Sequence, residues 1–209
     1  GLRAGDKVAL LSSNMPNWGI SYFAVTSAGM VAVPILPDFS DEELDMIIEH
    51  SEAKALLVSD KLFTKLSKQT IERLNVAVRT KNLGVISQRV RGEGSTGVPR
   101  PDDLAVIIYT SGTTSKPKGV MLTDNNFNGI AMQFSACDTL FSKGQSLLNI
   151  MPPFIAYGFA CGVHLPLTLG IKVVIIPNLD PAKLGSLVLK YKPEIMFGVP
   201  AHYQQLARS

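Results

Sequence analysis

Short apolar runs alternate with segments of helical periodicity along most of the chain. The runs lack the strict apolar–polar alternation of half-exposed strands, which favours strands that are covered on both faces. Because segments of helix length separate the runs, consecutive strands are expected to be joined by crossovers and to pair in parallel. The predicted fold class is α/β, with a mainly parallel β-sheet and helices on both faces. The predicted strands span residues 6–12, 31–36, 54–59, 104–110, 146–151, 172–177 and 194–199.

Polar residues predict where three of the helices begin. Ser40 and Glu43 have the S-x-x-E spacing of a capping box, ahead of the apolar positions of an amphipathic helix. Thr123 is predicted to cap a helix whose apolar positions continue to Phe141. Asp180 is predicted to cap another helix, which has a proline in its first turn.

The composition is that of a globular chain, since 46% of the 209 residues are hydrophobic and 18% are charged. That length allows one large domain or two small ones. A net charge of +3 is too weak to indicate a nucleic acid as partner. Cys137 and Cys161 show neither a CxxC spacing nor a disulfide framework, so a reducing, cytosolic setting is the default expectation. The longest apolar stretch, 158–176, is interrupted by a histidine, a proline, a glycine and a lysine, so no transmembrane segment is predicted.

The segment YTSGTTSKPKG, residues 109–119, follows a predicted buried strand. Its hydroxyl donors, its lysines and the backbone freedom of its glycines suit a polyphosphate, and it is expected to lead to a helix N-terminus, which favours anions. It is not a Walker A loop, because Lys118 is followed by Gly119 and Val120 where that pattern needs Ser or Thr. It is not a nucleophile elbow, because Tyr109 stands where glycine is needed. A flexible surface loop is the alternative interpretation of the same composition.

The order of residues in YTSGTTSKPKGV closely resembles the phosphate-binding signature of the adenylate-forming superfamily, Y-T-S-G-T-T-G-x-P-K-G-V. That superfamily includes acyl-CoA synthetases, the adenylation domains of nonribosomal peptide synthetases, and firefly luciferase. Eleven of the twelve positions are compatible, and Ser115 is the exception. The resemblance covers nearly the whole chain, because segments 1–37, 42–60, 151–176 and 193–206 resemble successive family segments in the family's order.

The resemblance implies an ATP-dependent ligase that joins a carboxylic acid to a thiol. The acid would attack the α-phosphate of ATP to give an acyl-adenylate and pyrophosphate, and the thiol of CoA or of a pantetheine arm would then displace AMP. The implied cofactors are ATP, Mg²⁺ and CoA, and the implied partner is a small-molecule carboxylic acid. The residues implied to hold the β- and γ-phosphates are Thr110, Ser111, Gly112, Thr113, Thr114, Ser115, Lys116 and Lys118, and those implied to border the acid are Phe154, Tyr157, Gly158 and Gly198.

Several of the family's later motifs are absent from the sequence, among them the Y-G-x-T-E segment and the C-terminal lysine domain. We therefore expect residues 1–209 to be an excised part of the large N-terminal domain, which alone is inactive. Three positions also depart from the family pattern: Ser115 replaces a glycine, and Asp124 and Ile155 each replace a common histidine. These departures keep a second function class open, namely a non-catalytic relative that binds nucleotide or acyl ligand. A peptide-synthetase adenylation domain is a further alternative.

Other conspicuous residues have plain structural interpretations. His50, His164 and His202 do not cluster along the chain, so no metal site is predicted. From their spacing alone, Phe154 and Tyr157 are ordinary core aromatics, and only the family resemblance makes them walls of a substrate pocket.

Overall fold

The computed structural model describes residues 1–90, 92–110, 117–136, 140–177 and 179–208. The chain forms two compact units, residues 1–125 and residues 126–209, which are called the first unit and the second unit below. Strands and helices alternate in both, and strand pairing is mainly parallel. The predicted fold class is therefore confirmed.

The first unit contains, in its described part, four strands that correspond to the predicted runs at 6–12, 31–36, 54–59 and 104–110, whereas the strands at 76–79, 85–88 and 118–123 were not predicted. In chain order its elements are β1 (Lys7–Leu11), α1 (Pro16–Ser27), β2 (Val31–Pro34), α2 (Asp41–His50), β3 (Ala53–Val58), α3 (Asp60–Phe63), α4 (Lys68–Arg73), β4 (Val76–Arg79), β5 (Val85–Gln88), β6 (Leu104–Thr110) and β7 (Lys118–Thr123).

The strands of the first unit form a single sheet. Over the described residues it has seven strands, in the order β5-β4-β3-β1-β2-β6-β7. The central strands from β4 to β6 pair in parallel, whereas β5 and β7 close the two edges in antiparallel pairing. The core contains the buried residues of β1, β2 and β3 together with Leu44, Ile47 and Ile48, which form one face of α2.

The N-terminus of α2 has the predicted capping box. The backbone N–H of Glu43 donates to Ser40 Oγ at 3.2 Å, and the backbone N–H of Ser40 donates to Glu43 Oε2 at 2.8 Å. Both bonds satisfy N–H groups that a helix start leaves without a partner. The helix begins where the sequence predicts because these local bonds define its first turn.

The second unit follows the same alternation on a smaller scale. Its elements are α5 (Asp124–Ser135), which begins at the end of the first unit, β8 (Ser146–Asn149), α6 (Ala156–Phe159), a π-helix (Ala160–His164), α7 (Leu165–Thr168), β9 (Lys172–Ile175), α8 (Leu184–Tyr191), β10 (Ile195–Met196) and α9 (Pro200–Ala207).

A parallel sheet organises the second unit. In the described part of the chain it has three strands, in the order β10-β8-β9. Leu148 and Ile150, at the end of β8, pack with Leu184 of α8 in the core of this unit. Before α8, Asp180 caps a short 3-10 turn by accepting the backbone N–H of Ala182 at 3.1 Å, which places the predicted cap one turn ahead of the α-helix.

The helix predicted after Thr123 begins at Asp124 as expected, but it ends at Ser135 and does not continue to Phe141. Residues 118–123, for which no strand was predicted, form the edge strand β7. Cys137, which the predicted helix also contained, lies outside the described residues.

Candidate functional site

The segment with the phosphate-binding signature joins two antiparallel strands. The last residue pair of β6 and β7 before this segment is Thr110 with Lys118, and both residues are exposed. Residues directly opposite each other on antiparallel strands share one face of the sheet, so the side chains of Thr110 and Lys118 leave the same face at the base of the segment. The remaining predicted phosphate ligands, Ser111, Gly112, Thr113, Thr114, Ser115 and Lys116, lie outside the described residues.

The expectation that this segment leads to a helix N-terminus was wrong. α5 begins only after β7, at Asp124, and the register pairs Thr123 with Leu104 at the opposite end of the hairpin from Thr110. A strand rises about 3.3 Å per residue, so the helix start at Asp124, six residues after Lys118, lies roughly 20 Å from the Thr110–Lys118 pair. The helix dipole of α5 therefore contributes nothing to an anion at that pair, because its effect is confined to the first turn.

Tyr109, next to Thr110, is fixed from two sides. A Cβ atom at its cross-strand partner Gly119 would lie 3.3 Å from Tyr109 Cζ and 2.9 Å from Ile107 Cγ2, so the absence of a side chain on β7 makes room for the tyrosine ring. The Tyr109 hydroxyl lies 2.7 Å from Nδ1 of His50, the last residue of α2. Tyr109 is 7% exposed, and burial raises the pKa of its phenol. Sequence reasoning missed this pair, because 59 residues separate its members.

In the second unit, a buried asparagine holds the segment that was predicted to border the acid. The Asn149 side chain donates to the carbonyl oxygen of Gly162 at 2.8 Å and accepts the backbone N–H of Met151 at 3.2 Å. Gly158 is buried against the chain turn before α6, and a Cβ atom there would lie only 2.0 Å from the carbonyl oxygen of Pro152. The backbone around 149–162 is thus closely packed upon itself.

Of the residues predicted to border the acid, the structure brings two into contact. Tyr157 is 41% exposed, and its hydroxyl donates to the carbonyl oxygen of Gly198 at 3.4 Å. Phe154 is half-buried in the turn ahead of α6. Gly158 is buried and offers no exposed surface to a ligand. Its contribution is to allow the close backbone packing against Pro152.

Two groups of side chains near these residues were not predicted. The rings of Phe134, Phe141 and Phe197 form a cluster with centroid separations of 5.1 to 6.2 Å. His164 is 4% exposed, its Nε2 lies 3.1 Å from Asn128 Oδ1, and burial lowers its pKa to about 4. The imidazole is therefore neutral near pH 7, and Nε2–H donates to the asparagine. Most of these pairs join residues that are at least 36 positions apart in the sequence, so no local sequence pattern indicates them.

Neither a cation site nor a membrane helix is found in the described parts of the chain. No group of three or more His, Cys, Asp or Glu side chains is arranged there to hold a metal ion. None of the helices described there combines the length and the hydropathy that crossing a bilayer requires.

Comparison with known proteins gives consistent matches. The family described as AMP-binding enzyme matches residues 1–209. A long-chain-fatty-acid–CoA ligase of Bacillus subtilis (strain 168) is 27% identical over 97% of this chain and 43% of its own length. A feruloyl-CoA synthase of an Amycolatopsis species is 31% identical over 99% of this chain and 41% of its own length.

A solved structure matches over the full chain. The crystal structure of a long-chain-fatty-acid-CoA ligase from Archaeoglobus fulgidus has a TM-score of 0.80 and 28% sequence identity, covering 100% of this chain and 42% of that protein. The chain therefore spans 41 to 43% of the lengths of these three relatives.

Proposed function

The chain belongs to the AMP-binding enzyme family, and on that premise we propose that it supplies the phosphate-binding hairpin and part of the acid-binding region of an ATP-dependent acyl-CoA synthetase. In this proposal residues 1–209 form part of the N-terminal domain of an adenylate-forming enzyme, in a reducing, cytoplasmic setting that suits two cysteines without a disulfide framework. The proposed substrate is a carboxylic acid, and the proposal does not specify which one.

One observation carries the proposal. The signature segment begins and ends at a β-hairpin base where Thr110, which carries a hydroxyl, and Lys118, which carries an ammonium group, are directly opposite each other and both exposed. Phosphate oxygens accept hydrogen bonds from both groups, and a charged donor contributes most of the energy. We assign the same role to residues 111–116 on the strength of the signature alone.

The proposed reaction uses this hairpin to orient ATP. A carboxylate oxygen of the acid forms a bond to the α-phosphorus, the bond from that phosphorus to the bridging oxygen of the β-phosphate breaks, and pyrophosphate leaves. The thiol of CoA then displaces AMP to give the thioester. Donors fixed on the β- and γ-phosphates stabilise the charge that develops on the leaving pyrophosphate.

We propose that the acid lies along the segment that includes Phe154 and Tyr157, beside Gly198. The hydrogen bond from the Tyr157 hydroxyl to the Gly198 carbonyl supports this assignment, because it joins two residues that the resemblance implied separately. Gly158 supports the same region by allowing α6 to start against the carbonyl of Pro152.

Mg²⁺ and CoA remain expectations from the family resemblance. The described residues provide no cluster of acidic side chains that fits a divalent cation, so we derive no step through a metal ion. ATP itself is bound in this proposal through hydroxyl and ammonium donors, which do not need such a cluster.

A non-catalytic nucleotide-binding relative is the second candidate, favoured by the three departures from the family pattern. Asp124 is partly buried at the start of α5, where burial and the nearby Asp103 raise its pKa, and Ile155 is an apolar residue at the start of α6. Neither offers the imidazole that is common at these positions. One measurement on a longer protein that contains this chain separates the two candidates. The enzyme releases pyrophosphate when a carboxylic acid is added to MgATP, whereas the non-catalytic relative does not.

The phosphate role of the hairpin predicts the effect of Lys118→Ala. Loss of a charged donor to a phosphate should raise the dissociation constant for MgATP by about tenfold. Isothermal titration calorimetry on the 209-residue chain would measure it. Lys61→Ala is the matched control, because Lys61 is an exposed lysine of α3 and lies outside the signature. Equal affinities for the two variants and the unaltered chain would remove Lys118 from the phosphate site.

The missing later motifs predict that the 209-residue chain makes no acyl-adenylate on its own. Pyrophosphate release from MgATP, assayed with a panel of fatty and aromatic acids, is expected to stay at the level of a protein-free blank. Turnover above that blank that falls in Lys118→Ala would show that the chain contains a complete adenylation site, contrary to this expectation.

A further inference from the structure

We propose that His50 and Tyr109 form a positioning pair, which holds the end of β6 so that Thr110 and Lys118 face a polyphosphate together. The inference rests on the proposed function, because it assigns a support to the same phosphate site. Neither residue touches the phosphates in this proposal. The pair acts by linking the hairpin base to the rigid end of a helix.

The tyrosine is placed where a small displacement matters most. Tyr109 immediately precedes Thr110, and its cross-strand partner Gly119 immediately follows Lys118. Its ring lies close to the Gly119 backbone, since a Cβ atom there would be 3.3 Å from Cζ. Both residues of the Thr110–Lys118 pair are therefore attached directly to the backbone that the tyrosine ring fixes.

The histidine supplies the fixed point. His50 ends α2, whose apolar face of Leu44, Ile47 and Ile48 is buried in the core of the first unit. Its Nδ1 lies 2.7 Å from the Tyr109 hydroxyl, and the two rings meet edge to face at a centroid distance of 5.8 Å. A side chain held by a core helix thus restrains the hairpin at its last buried residue.

The geometry separates this pair from the ligand. Successive side chains of a strand point to opposite faces, so Tyr109 and Thr110 lie on opposite faces of the sheet. Lys118 shares the face of Thr110, and Gly119 shares that of Tyr109. A polyphosphate held by Thr110 and Lys118 is consequently on the far side of the sheet from the phenol and the imidazole. The pair can influence that ligand only through the position of the backbone.

The test measures MgATP affinity of the 209-residue chain by calorimetry for Tyr109→Phe, His50→Ala, the double variant and His50→Asn. Each of the first two should raise the dissociation constant about fivefold, as for loss of one hydrogen bond. The double variant should be no weaker than either, because both changes remove one interaction. His50→Asn should retain affinity near that of the unaltered chain, since its amide places a hydrogen-bonding atom near the position of Nδ1.

Controls separate positioning from plain stability. Tyr191→Phe removes the phenol of an exposed tyrosine in α8 and should leave affinity unchanged. Hydrogen exchange in Tyr109→Phe and His50→Ala should accelerate in 107–110 and 118–121 before it does in the rest of the first unit. Because His50 is exposed, His50→Ala preserves the fold and keeps the test available if Tyr109→Phe is poorly folded.

The outcomes are distinguishable. Lower thermal midpoints with unchanged MgATP affinity would overturn the inference and leave the proposed function standing. Additive losses in the double variant would also overturn it, because the two residues would then act separately. If the unaltered chain binds no MgATP, or if Lys118→Ala has no effect, the proposed phosphate site fails and the inference fails with it.

Discussion

Replacing Gly158 by alanine is expected to lower the free energy of unfolding of the second unit by about 3 kcal/mol, because the new methyl group has no space. A Cβ atom at this position would lie 2.0 Å from the carbonyl oxygen of Pro152 and 2.8 Å from its carbonyl carbon. Both atoms belong to the backbone, so no side-chain rotation can relieve the contact. Either the turn at 152–155 or the start of α6 has to move. Urea denaturation followed by circular dichroism would measure the loss.

Gly129→Ala is the matched control for this change. Gly129 lies inside α5, and no atom outside its own helix lies within 4 Å of a Cβ built there. Alanine is favoured over glycine within a helix by roughly 0.5–1 kcal/mol, so this variant should be slightly more stable than the unaltered chain. The same substitution is thus predicted to have opposite signs at the two sites. Equal effects would show that the contact with Pro152 does not govern the stability of Gly158→Ala.

The result also bears on the role of Gly158 in the proposed acid-binding region. If the packing argument holds, this glycine is needed so that the turn carrying Phe154 can lie against α6. A loss of acid binding in Gly158→Ala would then follow from a displaced segment and would not identify Gly158 as a residue that contacts the acid.

The sequence predicted those helices and strands whose structure depends on interactions between neighbouring residues. The Ser40–Glu43 capping box appears with both of its hydrogen bonds, and β6 spans the same residues as the predicted strand. β7 was missed because it is an edge strand whose exposed Val120 and Met121 give no alternating pattern. Its strand conformation depends on pairing with β6, and a strand register of this kind is not encoded in seven or eight neighbouring residues.

The candidate site was likewise predictable only where neighbouring residues carry the signal. The order of residues 109–120 was enough to suggest a phosphate role, and the structure adds that Thr110 and Lys118 are cross-strand neighbours. The pairs Tyr109–His50 and His164–Asn128 could not be predicted, since 59 and 36 residues separate their members and each depends on tertiary packing. Spacing rules reach only about one turn of helix or one hairpin.

Acidification from pH 7 to pH 4 is expected to destabilise the second unit through His164. A histidine in an unfolded chain has a pKa near 6.5, whereas burial lowers the pKa of His164 in the folded chain to about 4. Between these values the unfolded state binds a proton that the folded state does not. The free energy of unfolding therefore falls as the pH decreases through this window, and this contribution levels off below about pH 4. The separation of the two pKa values corresponds to at most about 3 kcal/mol.

Substitution of His164 by glutamine tests whether this residue is the cause. Glutamine cannot take up a proton in this range, yet its amide can still donate to Asn128 Oδ1 from near the position of Nε2. The variant should lose roughly 1 kcal/mol at pH 7 through imperfect packing against Phe127. Its stability should then change less between pH 6.5 and pH 4 than that of the unaltered chain, by about the 3 kcal/mol assigned to the histidine. Urea denaturation at four pH values, with an NMR titration of the imidazole, measures both quantities. An imidazole that titrates near pH 6.5 in the folded chain, or an unchanged pH dependence in the glutamine variant, would assign the acid sensitivity to other groups.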